Sequence, residues 1–140
     1  MPRFVLLYHE CPPGFERSSH WDFMLEEGEK LRTWALACLP CEWVAAHART
    51  LKTHPDCPPL AASNSVAAEP LGDHRLDYLQ LEGKLSGKRG EVSRIDSGCY
   101  VTEAQRAESW QVSVAGPLLR GQIRLRQSKS LWTLDFDRHD

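Results

Sequence analysis

His20-Trp21-Asp22-Phe23-Met24-Leu25-Glu26-Glu27-Gly28-Glu29-Lys30-Leu31-Arg32-Thr33-Trp34-Ala35-Leu36 is the stretch whose reading decides the fold. Alternate side chains of a strand point to opposite faces, so Trp21, Phe23 and Leu25 can line a core. His20, Asp22, Met24 and Glu26 then share the other face. Glu27-Gly28-Glu29 is short enough to join a strand over His20–Glu27 to another over Lys30–Ala37 as a hairpin. Upstream, Arg3–His9 reads as an earlier extended segment. Two imidazoles and one carboxylate are a common way to hold a divalent metal while leaving positions open for substrate. His9, His20 and Asp22 are therefore the candidate ligands.

Alternation recurs further along. Tyr78–Leu85 and Glu91–Asp96 read as a pair of strands across residues 86–90. Trp110/Val112/Val114, Ile123/Leu125 and Trp132/Leu134/Phe136 each place apolar residues at period two. Many short strands with turn signals between them predict a mainly β chain, a small barrel or a sandwich. Two helices are expected. Pro40 can open one over Glu42–Leu51, where Trp43, His47 and Leu51 recur every four residues. Thr102-x-x-Gln105 has the form of a capping box before a short helix to about Glu108. Residues 53–65 read as a surface loop.

With 140 residues, 41% of them apolar, the chain has the size of one domain (1–140) with a core of its own. Its first apolar run, Phe4–Tyr8, is shorter than the about 7–15 residues of a secretory signal or the about 20 of a membrane helix. A cytoplasmic protein with no membrane association is expected. Five cysteines, odd in number and scattered, do not suggest an oxidised framework. Cys38-x-x-Cys41 followed by His54-x-x-Cys57 approaches structural-zinc spacing, with free thiols in a turn as the alternative. A net charge of −2 argues against tight nonspecific nucleic-acid binding, but residues 84–130 carry nine Lys/Arg against four Asp/Glu. Residues 1–83 are acidic by the same margin, as for a phosphate-facing and a metal-facing side, or simply as solvated strand faces.

The His20–Leu36 stretch resembles the 3'-phosphoesterase domain of bacterial DNA ligase D, which carries HYDFRLE, a short turn and LKSWAVP at this place. Asp73-His74-Arg75-Leu76-Asp77-Tyr78-Leu79-Gln80-Leu81-Glu82-Gly83 is similar to the family's DHPLEYADFEG. Leu118–Leu125 and Leu131–Leu134 resemble its closing KGRFVLVR and WLLIK strands, so the matches run in order along nearly the whole chain. The resemblance implies a compact antiparallel β-barrel with one or two short helices. It implies divalent-metal-dependent removal of a terminal ribonucleoside and then of the 3'-phosphate at a DNA end, ahead of ligation in end joining. It places the metal ligands on His9, His20 and Asp22, and the phosphate-gripping histidine and its tyrosine on His74 and Tyr78. The metal would be manganese, with zinc as the alternative. The partners would be nucleic-acid 3' ends and ligase or end-joining proteins, and the chain itself a monomer.

The chain also departs from that pattern. Met24 stands where the family has an arginine, Leu36-Ala37-Cys38-Leu39-Pro40 lacks the lysine of VPKG, and ten residues separate His9 from His20 where the family has about five. A thioether cannot replace a bidentate guanidinium at phosphate. Arg32, Arg75, Lys88 and Arg89 are the cations that could supply the charge from elsewhere. A catalytically impaired metal- and nucleic-acid-binding relative is therefore the alternative to an enzyme.

Overall fold

The computed structural model describes residues 1–15, 17–46, 63–85 and 89–138. Its strands are β1 (Arg3–Glu10), β2 (His20–Glu27), β3 (Lys30–Leu36), β4 (Ser65–Ala67), β5 (Glu69–Pro70), β6 (His74–Arg75), β7 (Gly83–Lys84), β8 (Glu91–Arg106), β9 (Ser109–Ala115), β10 (Arg120–Ser128) and β11 (Leu131–Arg138). They form one antiparallel sheet in the order β4-β11-β10-β9-β8-β1-β2-β3-β5, with β6 added to β3 and β7 to β8. The sheet curls until one short segment meets both of its edges. Val66 pairs with Leu134 of β11, Ala68 N donates to Trp132 O at 2.9 Å, and Pro70 pairs with Trp34 of β3. The edges are bridged rather than joined by a continuous ladder, so the fold is barrel-like and not a closed barrel.

The β2–β3 hairpin forms where the alternation places it. Glu27 pairs with Lys30 across Gly28-Glu29, and Gly28 has φ 65°, the left-handed value that two-residue hairpin turns need at their first position. Trp21, Phe23 and Leu25 do line the core. They meet Phe4, Leu6 and Tyr8 of β1, Trp34 of β3, Trp110 of β9 and the inward residues of β10 and β11 in one interior cluster. The opposite face of β2 is not open either. Met24 packs there with Val5, Leu7, Leu31 and Val92 under a 3-10 turn, Leu76–Leu79, which contributes Tyr78 and Leu79. Burial on both faces explains why β1 is almost continuously apolar.

Two expectations change. Residues 102–106 are strand, not helix: β8 runs on to Arg106 and turns through Ala107-Glu108 into β9. Thr102 Oγ1 accepts the indole N–H of Trp110 at 3.1 Å, so its hydroxyl serves a cross-strand contact and not a helix cap. The paired ladder of β8 and β9 outweighs a two-residue capping signal. Tyr78–Leu85 is not a strand; Tyr78 and Leu79 are both buried in the 3-10 turn, and only Gly83–Lys84 pairs with β8. Helix α1 spans Cys41–Ala46, with Asn64 Oδ1 accepting the Glu42 N–H at 3.1 Å near its start. Residues 47–51 of the expected helix lie outside the described residues, as do His54 and Cys57 of the candidate zinc quartet.

The β10–β11 turn holds Lys129 at φ 58° and Ser130 at φ 78° without a glycine. Left-handed backbone costs a side-chain-bearing residue about 1–2 kcal/mol. Replacing the pair by Asn-Gly is expected to raise unfolding stability by roughly 0.5–1 kcal/mol, after the entropy that glycine adds to the unfolded chain. Urea denaturation of the double variant checks this.

Candidate metal centre

Pairing of β1 with β2 sets His9 directly opposite His20 and Leu7 opposite Asp22, so both imidazoles flank one carboxylate on the outer face of the sheet. The outward nitrogen of each ring is tied to a backbone carbonyl. His9 Nε2 donates to Arg89 O at 2.7 Å, and His20 Nδ1 donates to Ser18 O at 2.8 Å. A carbonyl can only accept, so these bonds fix the tautomers and leave His9 Nδ1 and His20 Nε2 with lone pairs when the rings are neutral. Those two atoms lie 3.9 Å and 3.0 Å from the Asp22 carboxylate oxygens. Metal-binding histidines are held by the same kind of outer-nitrogen support.

Asp22 is 3% exposed, and its Oδ1 has no hydrogen-bond partner among the described residues. Oδ1 stands 3.0 Å from His20 Nε2, which offers a lone pair and no donor while the ring proton sits on Nδ1. A buried carboxylate oxygen without a donor is costly unless a positive charge stands beside it. Burial pulls the His20 pKa down, but the Asp22 carboxylate and the Ser18 carbonyl offset this, and the ring ends above the ordinary imidazole value. A proton on His20 or a divalent ion would each answer the demand for positive charge.

Cys11 forms with His9 and His20 a set of convergent ligand atoms that does not include Asp22, and the sequence reading missed it. His9, Cys11 and His20 each offer a ligand atom within 4.8 Å of one another, with Cys11 Sγ 4.0 Å from His20 Nδ1. Cys11 follows His9 at period two, the spacing that puts both on one strand face, and that was the available signal. Burial, and then the Asp22 charge, raise its pKa, so the thiol form is favoured. Cys11 also lies on the Nδ1 side of His20, where the Ser18 carbonyl already holds the ring.

His74 and Tyr78 come together with each other rather than with the metal face. Their rings meet edge to face at 4.9 Å, and His74 Nδ1 donates to Gly72 O at 2.9 Å. His74 is paired with Leu31, which is paired with Glu26, four residues from Asp22 and so about 13 Å along β2. Met24 lies between the two groups on that face, 0% exposed in the same apolar cluster as Tyr78. The position where the family pattern has its arginine is thus filled by packing.

The proposed replacement cations do not converge on this face. Arg32 stacks over Trp34 and Trp110 at 5.4 and 5.7 Å and pairs with Glu27, while Arg75 is exposed on β6. Lys88 lies outside the described residues, and Arg89 contributes its carbonyl to His9. Nor does the basic segment face the metal ligands as a block. Arg120, Arg124 and Arg126 sit on β10, separated from β1 by β9 and β8, with Arg126 paired to Asp135 at 2.8 Å.

No family model and no curated protein matches this chain.

Calorimetric titration with manganese or zinc is expected to show one site that Asp22→Ala or His20→Ala weakens more than about 100-fold, beyond the range of outer-shell changes. Cys11→Ser should change affinity by less than about tenfold if the thiol stays outside the ligand set. At position 24, Met24→Leu should cost less than about 1.5 kcal/mol. Met24→Arg should cost several kcal/mol by burying an unpaired charge, measured by denaturant unfolding.

Proposed function

We propose that the chain is a divalent-metal-dependent phosphoesterase acting on 3'-phosphate or 3'-ribonucleotide ends of nucleic acid. The observation that carries the reading is the His9–Asp22–His20 group: two imidazoles with outer nitrogens fixed on carbonyls and inner nitrogens directed at a buried, under-satisfied carboxylate. His9 Nδ1, His20 Nε2 and an Asp22 oxygen would hold the ion. Bound there, it supplies Lewis-acid polarisation of a phosphoryl oxygen. Two nitrogens and one carboxylate suit manganese, zinc or iron; the nearby Cys11 thiol, were it recruited, would shift the preference toward zinc.

The protein's own residues do the rest. The carbonyls of Ser18 and Arg89 keep the rings aimed while substrate enters, and the apolar cluster around Met24 makes a rigid backing for Asp22. His74, with Nδ1 occupied by Gly72 O, offers Nε2 to a phosphate oxygen of the backbone away from the scissile bond. Its separation from Asp22 along β2 assigns it to a part of the nucleic-acid end away from the metal ligands. Tyr78 holds the His74 ring through the edge contact. The ligase-D-like motifs quoted above add the DNA end as substrate and end-joining proteins as partners.

One observation favours a second reading, a relative that binds ends without turnover: the packed Met24 leaves the phosphate without the family's arginine. Kinetics separate the two. With manganese and a primer ending in a 3'-phosphate or a 3'-ribonucleotide, the enzyme trims the end, and His20→Ala or Asp22→Ala abolishes trimming. Binding of the primer without trimming in manganese, zinc and cobalt would instead establish the non-catalytic relative.

A further inference from the structure

A cavity of about 270 Å³ opens beside His20, on the side away from Met24. Three segments build it. The approach to β2 contributes Arg17, Ser18 and Ser19, the end of β3 contributes Ala35 and Ala37, and the bridging segment contributes Ala67 and Glu69. Alanines from separate segments leave the floor without side chains to fill it. Its size is just under the about 300 Å³ at which pockets for drug-sized ligands begin, so it suits a small group.

The rim is charged. Arg17 Nη1 pairs with a Glu69 carboxylate oxygen, and both side chains are substantially exposed. This ion pair links the approach to β2 with β5, and exposed pairs of this kind contribute little stability. A guanidinium next to two serine hydroxyls is a donor set for phosphate. Glu69 occupies the guanidinium as an anion of the protein's own, in the place an incoming phosphate would take.

We propose that this cavity is the binding site for the terminal phosphate and its ribose, with Arg17 as the phosphate receptor and Glu69 as the internal anion that the substrate displaces. The proposal rests on the phosphoesterase reading and locates its substrate. It also supplies the cation that position 24 lacks, from a different strand approach and on the opposite side of the metal ligands.

Inorganic phosphate and a ribonucleoside 3'-monophosphate, titrated into chelator-treated protein and followed by calorimetry, test it. Glu69→Gln is expected to tighten phosphate binding about tenfold by removing the competitor, and Arg17→Ala in that background to abolish the gain. Arg17→Lys should fall between them, keeping the charge without the fork. Ala37→Leu, which fills the cavity and changes no charge, should weaken the nucleotide. Phosphate affinity indifferent to Arg17, or nucleotide affinity indifferent to Ala37→Leu, overturns the proposal. These titrations contain no metal. Arg17-dependent phosphate binding in a protein that binds no manganese would therefore uphold the cavity and defeat the enzyme reading, whereas normal manganese binding without an Arg17 effect would do the reverse.

Discussion

The antiparallel pairing of β1 with β2 is the constraint on which the rest of the molecule depends. Its register puts His9 across from His20 and Val5 across from Met24, and both faces of the pair are buried along most of its length. A one-residue slip would turn Trp21, Phe23 and Leu25 outward and carry His20 and Asp22 into the aromatic interior. The interior cluster therefore fixes the metal face, although no metal-face residue belongs to it. Packing on one side of a strand is transmitted to chemistry on the other.

The second, smaller cluster explains how the outer face is divided. Met24, Tyr78 and Leu79 form an apolar block under the 3-10 turn. On one side of it stand His9, Asp22 and His20; on the other stands His74. Placing an arginine in that block would bury a charge without a partner, so the packing that steadies Asp22 also excludes the guanidinium there. Positive charge has to come from outside the block, and Arg17 lines the same cavity as His20.

Much of this was legible in the sequence wherever period-two alternation was long. β1, β2, β3 and the last three strands lie where their apolar residues predict, because one face of each is buried in a common core. The His9, His20 and Asp22 grouping was legible for the same reason: strand geometry alone puts His20 and Asp22 on one face. The reading failed where local signals were short. Thr102-x-x-Gln105 looks like a helix start, but β9 offers the same residues a ladder, and Tyr78 alternates in sequence yet packs beside its neighbour Leu79. Arg17 was invisible as a site residue because its role depends on Glu69, fifty-two positions away. Cys11 was overlooked although its spacing from His9 was readable.

The most direct test of the account is a crystal structure of the protein soaked with manganese, with anomalous scattering used to locate the ion. The account predicts a single peak with His9 Nδ1 and His20 Nε2 at about 2.0–2.3 Å and an Asp22 oxygen at similar range. A well-ordered site in which these three side chains do not converge on the ion, or an ion held elsewhere, would contradict it.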